Sequence, residues 1–526
     1  MTRPGGGSRP RILLGIDIGT YASKGVACSP DGEVLAEARV AHDISTPAPG
    51  HVEQDADAVW WHDLEGLCRQ LVDTVGASGE ISAVSVTTTG PCLLPVDAAG
   101  YPLRPGILYG VDVRAAEQID AMEARHGRRA IRSLGRMSLS SQSVGPKIAW
   151  IAEQEPAVYA ATARFHTATS YLVYRLTGAE AIDSHQACYF TPYYNARRGA
   201  WDLRHAPDVD LARRLPPIRW TTEIAGTVTN AAAAQTGIPA GTPVLVGTSD
   251  GPTEAASVGA LRPGVAALAY GSTTAITTFG DPPRTPRGLW DSEGIFPGRR
   301  SIGGGLSTSG AITSWLRREF ARELPQDTSD EIANAHAALS REAAASRLGA
   351  NGLLMLPYFS GERTPFVDPL ARGTIAGLAL HHTRGDVSRA ILEGTAFGVR
   401  QLLDSLAAGG VGVGSVRVAG GGTRNRLGMQ IVSDVTGIIQ EVPAVTIGAA
   451  YGAAYLAALA TGLTDEGTQR DGWVRITDRI VPDASTADVY GHLYDLFRRL
   501  YRDTASVNHE LARGLKASGW PEGASQ

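Results

Sequence analysis

Two aspartates stand where apolar runs give way to small polar bends, a placement that lets a carboxylate reach a ligand. Asp17 ends the run that contains Ile12, Leu13, Leu14 and Ile16, and opens Asp17-Ile18-Gly19-Thr20-Tyr21-Ala22-Ser23-Lys24. Glycine lets the backbone approach a ligand closely, and amides in a tight turn form a concavity that suits phosphate oxygens. Asp17 is a candidate to hold Mg²⁺ through water, because that ion favours a carboxylate and keeps much of its hydration. The same residues also suit a plain hairpin whose aspartate accepts from its own turn.

The second carboxylate follows the apolar stretch Pro243 to Val246 in Gly247-Thr248-Ser249-Asp250-Gly251-Pro252-Thr253-Glu254, ahead of a small-residue helix expected over Ala255 to Leu261. Asp250 as N-cap is one reading. It would put Pro252 at N2, where proline has no N–H to give; Gly251 as N-cap would put Pro252 at N1, where proline is favoured, and Glu254 at N3. Asp250 would then project beyond the helix start, ionised by the positive dipole end, as a general base. Two glycine clusters add candidate anion or nucleotide contacts. Gly303 to Gly310 precedes a helix expected near Ala311 to Phe320, and Gly420-Gly421-Gly422-Thr423-Arg424-Asn425 follows a strand expected over Val416 to Val418. A helix N-terminus behind a glycine turn suits an anion, and many such turns are simply tight connections.

These residues need strands and helices to hold them. A meander is expected from Ile12 through Gly25 to Cys28 and Glu33 to Val40, then an amphipathic helix over Ala56 to Thr74 and a strand at Ile81 to Val86. Strands and helices alternate onward, which indicates an α/β fold. Val265 to Tyr270, the bend Gly271-Ser272-Thr273-Thr274 and Ala275 to Phe279 repeat the first strand, polar bend and strand about 250 residues later. Two similar domains with facing bends are implied, and a cleft between them is a preferred ligand site. A helix is expected from Val387 to Ala407, capped by Asp386, with Gly394 and Gly398 on its apolar stripe for close approach of another backbone. The expected division is 1–10 flexible, 11–249, 250–462, and 463–526 as connector, helix and tail.

The chain has 526 residues, 43% of them apolar, with 48 basic against 53 acidic side chains and a net charge of −5. Two or more packed domains follow from the length, and disorder is excluded as the dominant state. The mild acidic excess excludes a general nucleic-acid or anionic-membrane binder, which needs clustered positive charge. Cys28, Cys68, Cys92 and Cys188 have no zinc or redox spacing, so reduced thiols are expected. No apolar signal-peptide core follows the basic first residues, and a cytoplasmic address is the simplest expectation. The uncharged run Val442 to Thr464 is rich in Ala and Gly and broken by Pro443, so a buried helix is expected rather than a membrane span. Neither a G-x-x-x-x-G-K-[ST] loop nor a G-x-G-x-x-G fingerprint occurs, so a nucleotide site needs another construction.

Longer segments carry a resemblance. Gly373-Thr374-Ile375-Ala376-Gly377-Leu378, then Asp386-Val387 and Ala390-Ile391-Leu392-Glu393, is similar to the C-terminal signature of the FGGY-type carbohydrate kinases. Gly361-Glu362-Arg363-Thr364-Pro365 with Asp368-Pro369 resembles a segment of xylulose kinases and near relatives. Glu53-Gln54-Asp55 ahead of Trp60-Trp61, Asp112-Val113-Arg114-Ala115, and the Gly421 and Gly452-Ala453-Ala454 regions also match, so the resemblance runs from about Ile12 to Gly462. It implies an actin/hexokinase-type (ribonuclease H-like) duplicated two-domain α/β fold with an interdomain cleft, and an ATP- and Mg²⁺-dependent kinase for a xylulose-like ketopentose or related polyol. Ribulose, glycerol or erythritol kinases are the near alternatives; an actin-type ATPase without a sugar and a non-catalytic sugar sensor are the distant ones.

Carried onto this chain, the resemblance makes Asp250 the catalytic base and Asp17 the catalytic and metal-side carboxylate. Gly19, Thr20 and Lys24 fall in the first phosphate bend, Gly271, Ser272 and Gly310 at nucleotide positions, and Gly421 and Asn425 where adenosine is held. Thr89, Gly90 and Asp112 join Asp250 on the substrate side. Here the chain departs from the xylulose kinases, which carry Gln-Met-His where this sequence has Thr89-Gly90-Pro91-Cys92; glycine and proline offer no side-chain hydrogen bonds, so the hydroxyl pattern read there differs. Asp112 and Arg114 also lie one residue further from Tyr109 than in the usual Trp-x-Asp-x-Arg spacing. The expected partners are a sugar or polyol and ATP, without nucleic acid or membrane, and homodimer formation is left open.

Overall fold

Ile12, Leu13, Leu14, Ile16 and Ile18 are all fully buried, because β1 (Arg11–Ile18) lies mid-sheet with helices on both faces. The computed structural model describes residues 9–76, 78–284, 286–325, 327–466 and 472–516. Most of the first ten residues, expected to be flexible, and the Gly/Ser/Pro tail beyond 516 lie outside the described residues. The meander is present as β1, β2 (Ala22–Cys28) and β3 (Val34–Ala41), each antiparallel to the next. β4 (Glu80–Thr88) and β5 (Pro243–Leu245) extend it in parallel on the other side, giving the order β3-β2-β1-β4-β5.

The second half repeats this arrangement strand for strand. β6 (Gly264–Tyr270), β7 (Thr274–Gly280) and β8 (Arg300–Leu306) form an antiparallel meander. β9 (Val413–Ala419) and β10 (Ile439–Pro443) add in parallel beside β6, giving β8-β7-β6-β9-β10. Each sheet then gains an antiparallel strand at the same end, Ile224–Thr227 on β5 and Ile476–Ile480 on β10. The duplication inferred from one repeated hairpin thus extends through five core strands and an edge.

Seven helices matter for the site: α1 (His62–Val75), α2 (Asp250–Ser257), α3 (Gly310–Phe320), α4 (Arg384–Ala408), α5 (Arg426–Thr436), α6 (Ala449–Ala460) and α7 (Ala487–Lys516). The amphipathic segment expected over Ala56 to Thr74 begins with a π-helical turn, Ala56–Trp61, capped by the Asp55 carboxylate, before α1 takes over. Leu64, Leu67 and Leu71 of α1 share a core with Leu14 and Ile16 on one face of the first sheet. On the other face Leu13 shares a core with Ala450 and Ala454 of α6. A Cβ on Gly15 would lie 2.0 Å from the Ala450 carbonyl oxygen, so α6 rests directly on the first sheet.

α4 departs in detail from its expectation. Thr383 is its N-cap and Asp386 the N3 partner of a capping box, so the cap lies three residues before the expected one. Gly394 does serve close approach, since a Cβ there would sit 2.4 Å from the Met355 carbonyl; Gly398 instead faces the Leu306 side chain. The uncharged run near 442–464 divides into the end of β10 and the buried α6, and no helix among the described residues is long and apolar enough to cross a membrane. All four cysteines are buried free thiols.

Candidate active site

The register of the first sheet brings both aspartates to one edge. Ile18 of β1 pairs with Thr88 of β4, and Thr88 pairs with Ser249, so Asp17 and Asp250 lie at the same end of strands two spacings apart, about 10 Å. The carboxylates therefore belong to one sheet rather than to opposing lobes. Its counterpart across the cavity is the end of β6 and the glycine bends behind it.

Asp250 is the first residue of α2, with Ser249 at the N-cap and no side-chain cap. Neither Asp250 nor Gly251 caps the helix, which corrects both readings of the sequence. Pro252 becomes N3, still within the first turn whose N–H groups have no helical partner. The Asp250 Oδ1 accepts from the Gly251 N–H at 2.9 Å and from the Gly90 N–H at 3.3 Å. Burial pushes its carboxyl upward, opposed by the N–H groups of Gly90, Gly251 and Asp250 itself and by the Arg363 guanidinium.

Three carboxylates crowd this edge. Burial pushes Asp17 up to about 8, Asp250 and Glu254 add like charge, and Lys24, its cross-strand partner on β2, opposes them. Glu254, one turn along α2 from Asp250, is pushed up to about 7 by burial and by Asp250. The Asp17 Oδ1 is buried without a hydrogen-bond partner among the described residues. A divalent cation would relieve both the crowding and the orphaned oxygen. Among the described residues no group of three or more His, Cys, Asp or Glu is placed to hold a metal, so the donor set fits an ion that keeps most of its water.

The bend around Asp17 is braced from behind. The Thr20 and Thr89 hydroxyls are 2.9 Å apart, and His42 is held between the Gly19 carbonyl at 3.0 Å and the Asp63 carboxylate at 2.7 Å. Beside it opens a cavity of about 300 Å³, lined on one side by Gly90, Pro91, Tyr109 and Asp250 and on the other by Tyr270, Gly271, Gly420 and Gly421. The far wall requires glycine. A Cβ on Gly310 would lie 2.3 Å from the Gly271 carbonyl, and one on Gly420, at φ +85°, would lie 2.5 Å from the Tyr270 carbonyl. The Ser272 carbonyl accepts the N–H groups of Ser309 and Ala311, both at 3.0 Å, which seats the start of α3 on the bend.

The structure thus gathers Gly90, Asp250, Gly271 and Gly421 around one space, with Asp17, Gly19, Thr20 and Lys24 in the hairpin next to it and Thr89, just after β4, hydrogen-bonded to Thr20. Ser272 and Gly310 stand behind Gly271, outside the lining. Asn425 also lies outside it, as the N-cap of α5, where its Oδ1 accepts from the Gly428 N–H at 3.0 Å. Asp112 is fully buried and committed elsewhere. Its Oδ2 accepts from the Val52 N–H and from Arg114 Nη2, each at 2.7 Å, and Arg114 continues to Glu53 at 2.8 Å.

Other lining residues were not among the expected site residues: Gln142, His185, Tyr189 and Trp290, with Glu254 and Arg363, which stood in segments read for other reasons. Glu254 had a signal, four residues after Asp250 on one helix. His185 had none, because its role depends on contact between the halves: its Nδ1 lies 2.9 Å from the Ser292 hydroxyl and 3.0 Å from the Glu293 carbonyl.

Comparison with known proteins agrees with this architecture. A solved xylulose kinase from Rhodospirillum rubrum is 31% identical, with a TM-score of 0.84 over 95% of this chain and all of that one. Among curated sequences, a xylulose kinase of Staphylococcus epidermidis is 26% identical over 95% of this chain and 98% of its own length. A ribulokinase of Geobacillus thermodenitrificans is 28% identical over 96% and 97%, and a glycerol kinase of Deinococcus radiodurans 29% over 86% and 90%. The twin α/β sheets are those of the actin/hexokinase-type fold. Residues 12–259 match the N-terminal domain, and residues 266–461 the C-terminal domain, of the FGGY family of carbohydrate kinases, and the chain belongs to that family.

Proposed function

We propose that the chain transfers the γ-phosphoryl group of ATP to a terminal hydroxyl of a ketopentose or a related polyol, with Asp250 as the general base. One observation carries this reading: the Asp250 carboxylate lines the cavity at a helix start, with Oδ1 fixed by two backbone N–H groups, opposite a wall of glycine bends. Phosphoryl transfer passes through a loose transition state with charge spread over the moving group, so alignment and charge stabilisation do most of the work. Asp250 orients the attacking hydroxyl and accepts its proton late. The N–H groups and the Arg363 guanidinium favour its ionised form against burial.

Asp17 is the residue that would hold Mg²⁺, with Glu254 and Lys24 nearby; when bound, the ion neutralises charge on the phosphates. Gly19, Thr20 and Lys24 on one side, and Gly271, Ser272, Gly310, Gly421 and Asn425 on the other, form or support the nucleotide walls. On this reading residues 11–249 form the acceptor half and 250–462 the nucleotide half, with 463–526 as connector, helix and tail. Thr89 and Gly90 shape the acceptor wall, and Asp112 supports it through Arg114 and Val52 rather than by contact. Water is a competing acceptor that closure of the halves excludes.

The test is a coupled ADP-release screen over xylulose, ribulose, erythritol, glycerol and ketohexoses, followed by Asp250→Asn. A placed base contributes roughly 10²- to 10⁴-fold, so turnover should fall by that factor while acceptor affinity is largely kept. Comparable kcat in the variant removes Asp250 from the role. ADP release independent of any acceptor would indicate an ATPase, and acceptor binding without phosphate transfer a sensor.

A further inference from the structure

Arg363 lines the cavity with Asp250, and favouring the ionised form of that carboxylate does not use the arginine N–H groups. Its bend is clamped at both sides. The Glu362 Oε1 accepts from the Arg363 N–H at 2.8 Å and from the Ser307 N–H at 3.0 Å, while the Thr364 hydroxyl binds both the N–H and the carbonyl of Gly305 at 2.7 Å. The guanidinium lies over the Trp290 ring, 5.1 Å from its centroid, and both residues line the cavity with Asp250. Stacking uses the face of a guanidinium and leaves its in-plane N–H groups free to donate. The Arg363 Nε is buried and has no hydrogen-bond partner among the described residues. A buried donor left unmade is costly, so a group that supplies an acceptor atom gains by binding there.

The opposite wall states what is missing. Gly90 and Pro91 give the acceptor no side-chain hydrogen bond, and a Cβ on Gly90 would lie 2.4 Å from the Tyr109 ring, so no larger residue replaces Gly90 without moving that ring. Arg363, on the bend clamped to the second sheet, lines this space with an N–H that has no partner among the described residues. We propose that Arg363 binds the acceptor: its guanidinium, held over the Trp290 ring, donates to an oxygen of the sugar or polyol while Asp250 holds the hydroxyl to be phosphorylated. The inference rests on the kinase reading with Asp250 as base. It makes Arg363 and Asp250 two jaws fixed to different sheets, Asp250 at the edge of the first and Arg363 on the bend clamped to Gly305 of β8 in the second, so acceptor binding and closure are linked.

The experiment uses whichever of xylulose, ribulose or glycerol gives the fastest ADP release with the full chain. A charged donor to a bound oxygen is worth roughly 10- to 100-fold, so Arg363→Gln should lose that factor in kcat/KM for the acceptor, mostly in acceptor KM. The KM for ATP should stay within about twofold, and calorimetric acceptor affinity should fall in parallel. Arg363→Lys, which keeps charge and much of the stem, should lie between. A folded Arg363→Gln with wild-type acceptor KM, or with equal losses for acceptor and ATP, overturns the inference. Should that variant fail to fold, an unchanged acceptor KM in Arg363→Lys overturns it as well. Failure of the kinase reading shows itself separately, as wild-type ADP release that no acceptor stimulates, and failure of the base assignment as Asp250→Asn with wild-type turnover.

Discussion

Replacing Gly452 by alanine tests how Asp250, the proposed base, is held. α6 crosses α2 at this glycine, and a Cβ there would lie 1.8 Å from the Thr253 carbonyl oxygen, 2.8 Å from its carbon and 2.9 Å from the Ser257 nitrogen. All three are backbone atoms, so no side chain can swing aside. Restoring ordinary contact requires the two helices to separate by about 1.5 Å, and overpacking of this kind costs about 1–3 kcal/mol. The displacement arrives next to the chemistry. Thr253 is three residues from Asp250, and its hydroxyl is tied to the Asp250 carbonyl at 2.9 Å and lies 3.0 Å from the Thr87 hydroxyl. A shift of about 1 Å at a reacting group costs on the order of 10²-fold, so kcat in Gly452→Ala should fall by that factor along with the unfolding midpoint. Gly66→Ala is the control: that glycine is exposed in α1 with nothing within 4 Å of a new Cβ, and the change should stabilise by up to about 1 kcal/mol with kcat unaltered. Denaturant unfolding and ADP release measure both. Wild-type kcat and midpoint in Gly452→Ala would refute the claim that backbone contact at this crossing positions Asp250.

Gly90→Ala should drive the Tyr109 ring from its place, since the new Cβ would meet that ring at 2.4 Å from a backbone at φ +28°; acceptor KM should rise about tenfold or more with KM for ATP unchanged, as steady-state kinetics in both substrates would show. Asp112→Asn leaves Arg114, whose side chain is fully buried, short of one carboxylate, so stability should fall by about 3 kcal/mol in denaturant unfolding with little direct effect on acceptor affinity in the folded fraction. Burial holds His166 down at about 3 against an ordinary 6.5, so the folded state binds its proton less readily than the unfolded state. The resulting stability is present above pH 6.5 and is lost as pH falls toward 3, by about 1.4 kcal/mol per pH unit at most; the stability advantage of wild type over His166→Gln should therefore shrink between pH 6.5 and 4.5, and a constant difference would contradict it.

What the sequence made legible follows physical range. The Asp17 hairpin was readable because its strand, bend and return lie within some thirty residues, and the second hairpin because it repeats the same polar bend. The full duplication was not, since β5 is only three residues long and joins a strand more than 150 positions earlier through parallel pairing. Neighbours in the chain carry no mark of such a partner. Asp112 illustrates the opposite case: the family resemblance put it on the substrate side, while in the structure Arg114 and the Val52 N–H engage it in the protein's interior.

The start of α2 shows where local rules stop deciding. Proline chemistry argued that Asp250 should project beyond the helix, and the residue is instead its first member. The functional consequence is the same by a different cause. Capping preferences weigh one or two N–H groups, whereas α2 is fixed by Thr253 against β4 and by Gly452 of α6 against its backbone. With the helix anchored along its length, its first turn need not supply the anchor, and Asp250 can spend one oxygen on the Gly90 and Gly251 N–H groups while keeping its carboxylate on the cavity. The glycines at 90, 310, 420 and 452 act through what they leave out. Each admits a carbonyl or a ring where a methyl group would collide, so the site depends on these four absences as much as on its charged residues.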